Sequence, residues 1–290
     1  MDRLIFHNDR IVPLAETRLS PGQIGLLMGW GVFTTLRLYR GWPFAFDRHW
    51  KRMERDAERL GMALPYKQEA VREAVARLAE ANRRPEGMAR LSIVKNHGGL
   101  WAEPEDHPVT DLLVFTRELV PWPAAHRLKL QPEAVFSASR LAGAKILSWV
   151  QNAVALEKAH QEGFDDALLL NEKGQLVECT SANIFLVRKR QVLTPPLSSG
   201  CLPGVTREVL REVAPRVGLE LCEQDLTTED LSSAAEVFIS STTREVAGVG
   251  SVSPHWSYQA PGTVARALEQ AFQQYVQAHL KPSLPPPSSS

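Results

Sequence analysis

Four short segments of the chain hold side chains able to do chemistry. In Leu141-Ala142-Gly143-Ala144-Lys145-Ile146-Leu147-Ser148-Trp149 a lone lysine sits among small and apolar residues. An amine withdrawn from water loses its proton more readily and can attack a carbonyl, whereas the same lysine could equally lay its stem on apolar surface with its head in solvent. Glu178-Cys179-Thr180-Ser181-Ala182-Asn183-Ile184-Phe185 places an acid where one extended run leads into another. A carboxylate held there could keep a pyridine nitrogen protonated, and an exposed strand-end Glu would look the same. Leu202-Pro203-Gly204-Val205-Thr206-Arg207 precedes an apolar-periodic run. Free amides at a helix start, with the Thr206 hydroxyl, favour an anion such as phosphate, while plain capping by Thr206 accounts for the same residues. Ser240-Ser241-Thr242-Thr243-Arg244-Glu245 offers hydroxyl groups to a phosphate or forms an ordinary polar loop. His7, His49 and His97 are not at metal-ligand spacings, so no metal site is read.

The elements that must hold these segments are read from periodicity. Trp50, Met53, Ala57 and Leu60 recur at spacings of three and four, which predicts a helix from an Asp47 cap to about Leu60, stopped by Gly61. Val71, Ala74, Val75 and Leu78 predict a second helix from about Gln68 to Ala81. Strand-like runs fall at Leu36 to Tyr39, Ala89 to Lys95 and Asp111 to Arg117, so residues 1–120 read as a smaller α/β domain. The prolines of Leu119-Val120-Pro121-Trp122-Pro123 break regular structure and place an interdomain linker at 121–127.

Residues 128–280 read as a larger, strand-rich α/β domain. An extended run is expected from Arg127 to Phe136, and a helix from Trp149 to Gly163 through Val150, Val154, Leu156 and Ala159. Ala167 to Leu170 with Gln175 to Cys179, and Asn183 to Val187 with Val192 to Thr194, predict two consecutive hairpins. Thr206 to Val217 predicts a helix with Val209, Leu210, Val213 and Val217 on one face. Glu236 to Ser240 is the last strand expected, Val264 to Leu280 the last helix, and the Pro/Ser-rich residues 281–290 a disordered tail. The fold class is thus α+β (α/β) in two domains.

Lys and Arg number 33 and Asp and Glu number 33, giving a formal net charge of zero and no bulk field for nucleic acid or an anionic membrane surface. Apolar residues at 44% and charged residues at 23% fit a folded globular chain. Cys179, Cys201 and Cys222 cannot all pair and lack Cys-x-x-Cys spacing, which points to a reducing, cytoplasmic setting. No secretory leader is read at the N-terminus, and Gly25 to Leu36 falls short of the ~20 apolar residues that span a bilayer.

In this order and spacing the four segments resemble the fold-type IV pyridoxal-phosphate enzymes, the class IV aminotransferase family, from Phe6 to the final helix. The resemblance implies pyridoxal 5'-phosphate as cofactor, with Lys145 forming its Schiff base and Glu178 pairing with its pyridine nitrogen. It implies that amides at Val205 and Thr206 and the hydroxyl of Thr242 grip the phosphate. His49-Trp50-Lys51-Arg52 matches the family's His-x-x-Arg and adds Arg52 to the phosphate site. On spacing alone Arg48, Arg52, Arg55 and Arg59 read as a solvated basic stripe. Arg37 and Arg90 also fall at family positions, Arg90 at one that receives a substrate carboxylate. The resemblance further implies a cofactor cleft between the two domains and a homodimer acting on a small-molecule amino substrate.

Within the family, Gly31-Val32-Phe33-Thr34-Thr35-Leu36-Arg37 is similar to the Phe-Thr-Thr of the 4-amino-4-deoxychorismate lyases, where the aminotransferases usually carry Phe-Glu or Tyr-Glu. Leu141-Ala142-Gly143 leans the same way, as does Leu91 after Arg90, where branched-chain enzymes commonly have proline. The expected reaction is release of 4-aminobenzoate and pyruvate, with Thr34 or Thr35 protonating the departing group. The alternative is an aminotransferase for branched-chain or D-amino acids with a 2-oxo acid acceptor. A cofactor-binding protein without turnover is the remote third, disfavoured because Lys145 and Glu178 are both present.

Overall fold

The computed structural model describes residues 2–96 and 108–280, so His97 and the tail at 281–290 lie outside the described residues. The chain divides into one unit of Met1–Val120 with the chain end from Val276, and a second of Pro121–Tyr275. In the first, β1 (Leu4–His7), β2 (Arg10–Pro13), β3 (Gly31–Tyr39), β4 (Trp42–Pro43), β5 (Gly87–Lys95) and β6 (Thr110–Arg117) form a sheet in the order β2-β1-β6-β5-β3-β4. Every pairing in it is antiparallel. The short α1 (Ile24–Met28) precedes β3, and α2 (Phe46–Arg59) and α3 (Gln68–Ala81) lie between β4 and β5. Alternate strand residues Val32, Leu36 and Leu38 of β3 and Leu91 and Ile93 of β5 join Trp50, Met53, Val75 and Leu78 of the helices in one core. One sheet face is therefore sealed by α2 and α3, as the period of 2 in strands and 3.6 in helices demands.

Asp47 does not cap α2. Ala45, with φ 50°, precedes the helix, and Asp47 lies in its first turn. Its carboxylate instead pairs with Arg72 and accepts from Gln68, tying α2 to α3.

The second unit holds β7 (His126–Val135), β8 (Asp166–Asn171), β9 (Leu176–Cys179), β10 (Asn183–Arg188), β11 (Gln191–Thr194), β12 (Glu220–Glu223), β13 (Glu236–Ser241) and β14 (Glu245–Ser253). Among the described residues these form one sheet in the order β12-β11-β10-β13-β14-β7-β8-β9, with β15 (Trp256–Ser257) on β14. The β8/β9 and β10/β11 pairs are the two antiparallel hairpins. This unit also holds helices α4 (Val150–Gln161), α5 (Val205–Val213) and α6 (Thr228–Ser233), and α7 (Thr263–His279) as far as Tyr275.

Two expectations fail here. A nine-residue strand, β14, follows the strand expected to be last. Helix α5 stops at Val213 and tightens to a 3-10 turn over Ala214–Val217, because Pro215 lacks the donor an α-helix needs there, and Val217 is left exposed. Helix α4 forms where Val150, Val154, Leu156 and Ala159 indicate; of these Ala159 is buried in a cluster with Ala167 and Leu169, while Val150 and Val154 are 72% and 59% exposed.

Phe185 and Phe238 are directly paired across β10 and β13, their rings stacked with centroids 4.7 Å apart and neither exposed. Truncating one leaves a cavity that rigid strands cannot collapse. Phe185→Ala should therefore lower unfolding free energy by about 3–5 kcal/mol in urea denaturation. A loss below about 1 kcal/mol would mean that the site repacks.

Candidate functional site

Glu178 stands one residue before the end of β9, and both its oxygens are held. The Leu202 amide donates to Oε1 at 3.1 Å and Asn183 Nδ2 donates to Oε2 at 3.2 Å. Asn183 Nδ2 also donates to the Leu202 carbonyl at 2.9 Å. The plane of the carboxylate is thus fixed by the segment leading into α5 and by the first residue of β10. Asn183 has no role in the sequence reading. Its only signal there is an Asn at a strand start, where that residue type is depleted.

Gly204 precedes α5 in extended conformation, and a Cβ built on it would lie 2.0 Å from Asn183 Oδ1, so glycine lets the helix start close on Asn183. No side chain caps α5, and Thr206 is buried inside its first turn rather than at the cap. Plain capping by Thr206 is thereby overturned. The uncapped amides at Val205 and Thr206 keep the capacity for an anion that a helix N-terminus has. The lysine loop rests on the same segment: Gly143 has φ +69°, and a Cβ there would meet the Cys201 carbonyl oxygen at 2.5 Å. Lys145, two residues on, is half-buried.

Thr242 lies in the turn between β13 and β14, where Ser241 is opposite Glu245. Ser240 pairs with Asn183 across β13 and β10, and its Oγ is buried without a hydrogen-bond partner. Within the second unit the segment before α5 thus touches the end of β9, the start of β10 and the lysine loop, and the end of β13 pairs with the start of β10. An amine, a fixed carboxylate, an uncapped helix start and a hydroxyl-bearing turn are the set that a phosphorylated pyridine aldehyde requires, and the residues fit that group. Burial pushes the Cys201 thiol up to about 12 and raises Cys179 as well, so neither offers a thiolate beside Glu178.

The first unit splits its candidates between two sheet faces. Successive strand residues alternate, so Thr34 and Thr35 point to opposite sides of β3. Thr34 lies under α2, buried, with its Oγ1 accepting from Arg52 Nη2 at 2.9 Å and lying 2.7 Å from His49 Nδ1. Arg52 Nη2 is also 3.4 Å from that nitrogen. A guanidinium only donates, so the Thr34 oxygen accepts from Arg52 and joins it to the His49 ring. Arg52 is buried at 8% exposure, not part of a solvated stripe, while Arg55 pairs with the buried Asp56.

Thr35 pairs directly with Arg90 across β3 and β5. The Arg90 guanidinium lies 3.7 Å over the Phe33 ring, and burial lowers its pKa from the ordinary value. Arg37 lies on the same face, 4.9 Å over the Tyr39 ring and 3.7 Å from Glu86. Among the described residues no cluster of His, Cys, Asp or Glu could hold a metal ion, and no helix is long and apolar enough to cross a membrane.

This arrangement defines an enzyme of the pyridoxal-phosphate class. The family model for amino-transferase class IV matches residues 31–252, and the chain belongs to that family. It is 28% identical over 275 residues, 92% of this chain and 94% of the relative, to the "Putative branched-chain-amino-acid aminotransferase" of Methanocaldococcus jannaschii. It is 28% identical over 249 residues, 82% and 84% of the two chains, to D-alanine aminotransferase of Listeria innocua. The T.th. branched-chain amino acid aminotransferase, solved with pyridoxamine 5'-phosphate, superposes with a TM-score of 0.86 at 26% identity over 97% and 96% of the chains. The fold is shared with the "Putative 4-amino-4-deoxychorismate lyase" of Legionella pneumophila, at a TM-score of 0.83 and 22% identity over 90% and 96%. The cofactor is pyridoxal 5'-phosphate, and the fold is the two-domain α/β arrangement of the family.

The contact between Gly204 and Asn183 can be probed by a mutant cycle. Gly204→Ala should destabilise by about 1–3 kcal/mol, because the new methyl displaces an amide that holds Glu178 and Leu202. In an Asn183→Ala background the same change should cost less than about 0.5 kcal/mol. Thermal unfolding of the four proteins measures both, and additive losses would show that the two residues act independently.

Proposed function

We propose that the enzyme is a 4-amino-4-deoxychorismate lyase, releasing 4-aminobenzoate and pyruvate. The observation that carries this reading is the direct pairing of Thr35 with Arg90 across β3 and β5. A lyase needs a proton donor next to the group that leaves, and the leaving enolpyruvyl group bears a carboxylate. Arg90 is suited to bind that carboxylate, which sets the carbon to be protonated beside the Thr35 hydroxyl. Thr34 lacks this freedom, since its hydroxyl already joins Arg52 to His49.

Pyridoxal phosphate, when bound, supplies an electrophilic carbonyl and an electron-accepting ring. Lys145 holds it and, as a neutral amine, takes the ring proton of the substrate. Glu178, its carboxylate plane fixed, keeps the cofactor nitrogen protonated. The amides of Val205 and Thr206, the hydroxyl of Thr242 and the guanidinium of Arg52 hold the phosphate. Arg37 of β3 lies on the same sheet face as Arg90 of β5 and offers a second cation there.

The curated relatives favour a second reading, an aminotransferase for branched-chain or D-amino acids. There Lys145 moves a proton between substrate carbon and cofactor carbon instead. Both readings place a homodimer in the cytoplasm. Support for the dimer comes from Val150 and Val154, one turn apart on the exposed side of α4, which a second copy would cover.

Borohydride reduction and peptide mapping should place the cofactor on Lys145, and Glu178→Gln should keep it bound while losing most turnover. Purified holoenzyme should form 4-aminobenzoate from aminodeoxychorismate faster than it transaminates leucine or D-alanine. Thr35→Val should then lower kcat by about 100-fold with cofactor occupancy unchanged. Rapid 2-oxo acid formation with no 4-aminobenzoate by chromatography overturns the lyase and establishes the second reading.

A further inference from the structure

We infer that Asp166 and Arg244 are positioning residues for the cofactor phosphate: a buried ion pair that clamps the Thr242 turn to the strand end carrying Glu178. The inference rests on the reading of Thr242 as a phosphate ligand. Asp166, the first residue of β8, is fully buried. Its Oδ1 accepts from the Thr180 hydroxyl at 2.6 Å, the Thr180 amide at 3.1 Å and the Ala167 amide at 2.8 Å. Its Oδ2 accepts from the Ser181 hydroxyl at 2.9 Å and from Arg244 Nη2 at 3.1 Å. Arg244 Nη1 donates to Ser181 Oγ at 2.9 Å, and the guanidinium lies 3.8 Å over the Trp122 ring. Its own amide donates to Ser241 Oγ at 3.2 Å, closing the turn that holds Thr242.

One carboxylate thus holds two turns. Thr180 and Ser181 follow Glu178 by two and three residues, and Arg244 follows Thr242 by two. Withdrawing both charges from water is costly, and five donors on a single Asp compensate that cost only in this arrangement. A pair that merely stabilised the fold could be replaced by apolar residues. A pair that sets the turn cannot, because apolar side chains have no reason to hold Thr242 at a fixed distance from the end of β9. The neighbouring ring of His126 adds no competing charge: burial, with the Arg244 guanidinium next in importance, holds its pKa down to about 4. Asp166→Asn keeps the volume but replaces one acceptor by an N–H group that faces donors on either side.

The test compares dissociation constants for pyridoxal 5'-phosphate and for pyridoxal, which lacks the phosphate, in the full-length apoenzyme. Thr242→Ala should weaken the phosphorylated form alone. Asp166→Asn should weaken it by about ten-fold while changing pyridoxal affinity by less than about two-fold. Adding Thr242→Ala to Asp166→Asn should then cost little more, since the hydroxyl is already misplaced. A lowered melting temperature with the parental preference for the phosphate, beside a weakened Thr242→Ala, overturns the inference alone. No effect of Thr242→Ala in the parent overturns the phosphate assignment and the inference with it. If circular dichroism shows Asp166→Asn unfolded, Arg244→Lys decides. That variant keeps the charge but cannot reach both Asp166 and Ser181 as the guanidinium does, should lower the phosphate preference in the same direction, and overturns the inference if it does not.

Discussion

The Glu178 carboxylate accepts one hydrogen bond from a backbone amide and one from a side-chain amide, and those two donors belong to different stretches of chain. Their joint hold makes the end of β9, the start of β10, the segment before α5 and the lysine loop interdependent. If the Leu202 segment moves, Glu178 loses a donor and the lysine loop loses the surface on which Gly143 rests. If β10 shifts, Asn183 releases both Glu178 and Leu202. An acceptor left without its donor in a half-buried place costs more than the bond itself gained, so the arrangement resists partial displacement.

The first unit solves a different problem, which is to keep two cationic groups apart. Arg52 and Arg90 serve anions of different kinds in the proposed chemistry, and both are withdrawn from water. Strand geometry sorts them: Arg52 reaches β3 from the helix-covered side through Thr34, while Arg90 lies beside Thr35 on the other. Arg52 donates to the Thr34 hydroxyl, and Arg90 lies over the face of Phe33, so each guanidinium is oriented by a contact on its own side of the sheet.

Much of the fold was legible because its elements obey simple periods. Helix α3 runs over Gln68–Ala81 as Val71, Ala74, Val75 and Leu78 indicate, and both hairpins follow their turn residues. β14 escaped because Val246, Val249 and Val252 recur every three residues instead of every two, across a register shift at Val249/Ser251, and Gly248 and Gly250 between them read as breaks. Val217 was misplaced because apolar spacing continued past Pro215, whose missing donor outranks it. The residues named for the cofactor came from matching segments, not from physical necessity. Asn183, Asp166 and Arg244 carry no local signature of their roles, since each acts through a partner brought near only by sheet pairing. Arg52 shows the converse limit: its burial depends on Thr34 and His49, neither of which its helix periodicity reveals.

The opposite orientation of Thr34 and Thr35 bears on how such a chain can change over generations. Neighbours in sequence, they belong to separate environments, so a point substitution at 35 meets the Arg90 face without disturbing the Arg52 and His49 contacts. Substrate preference can drift there while the anchor beneath stays fixed. A deletion or insertion within β3 has no such latitude, because a one-residue slip exchanges the faces and sends each hydroxyl to the wrong arginine. Codon changes in this strand are therefore open to selection, and changes in its length are closed.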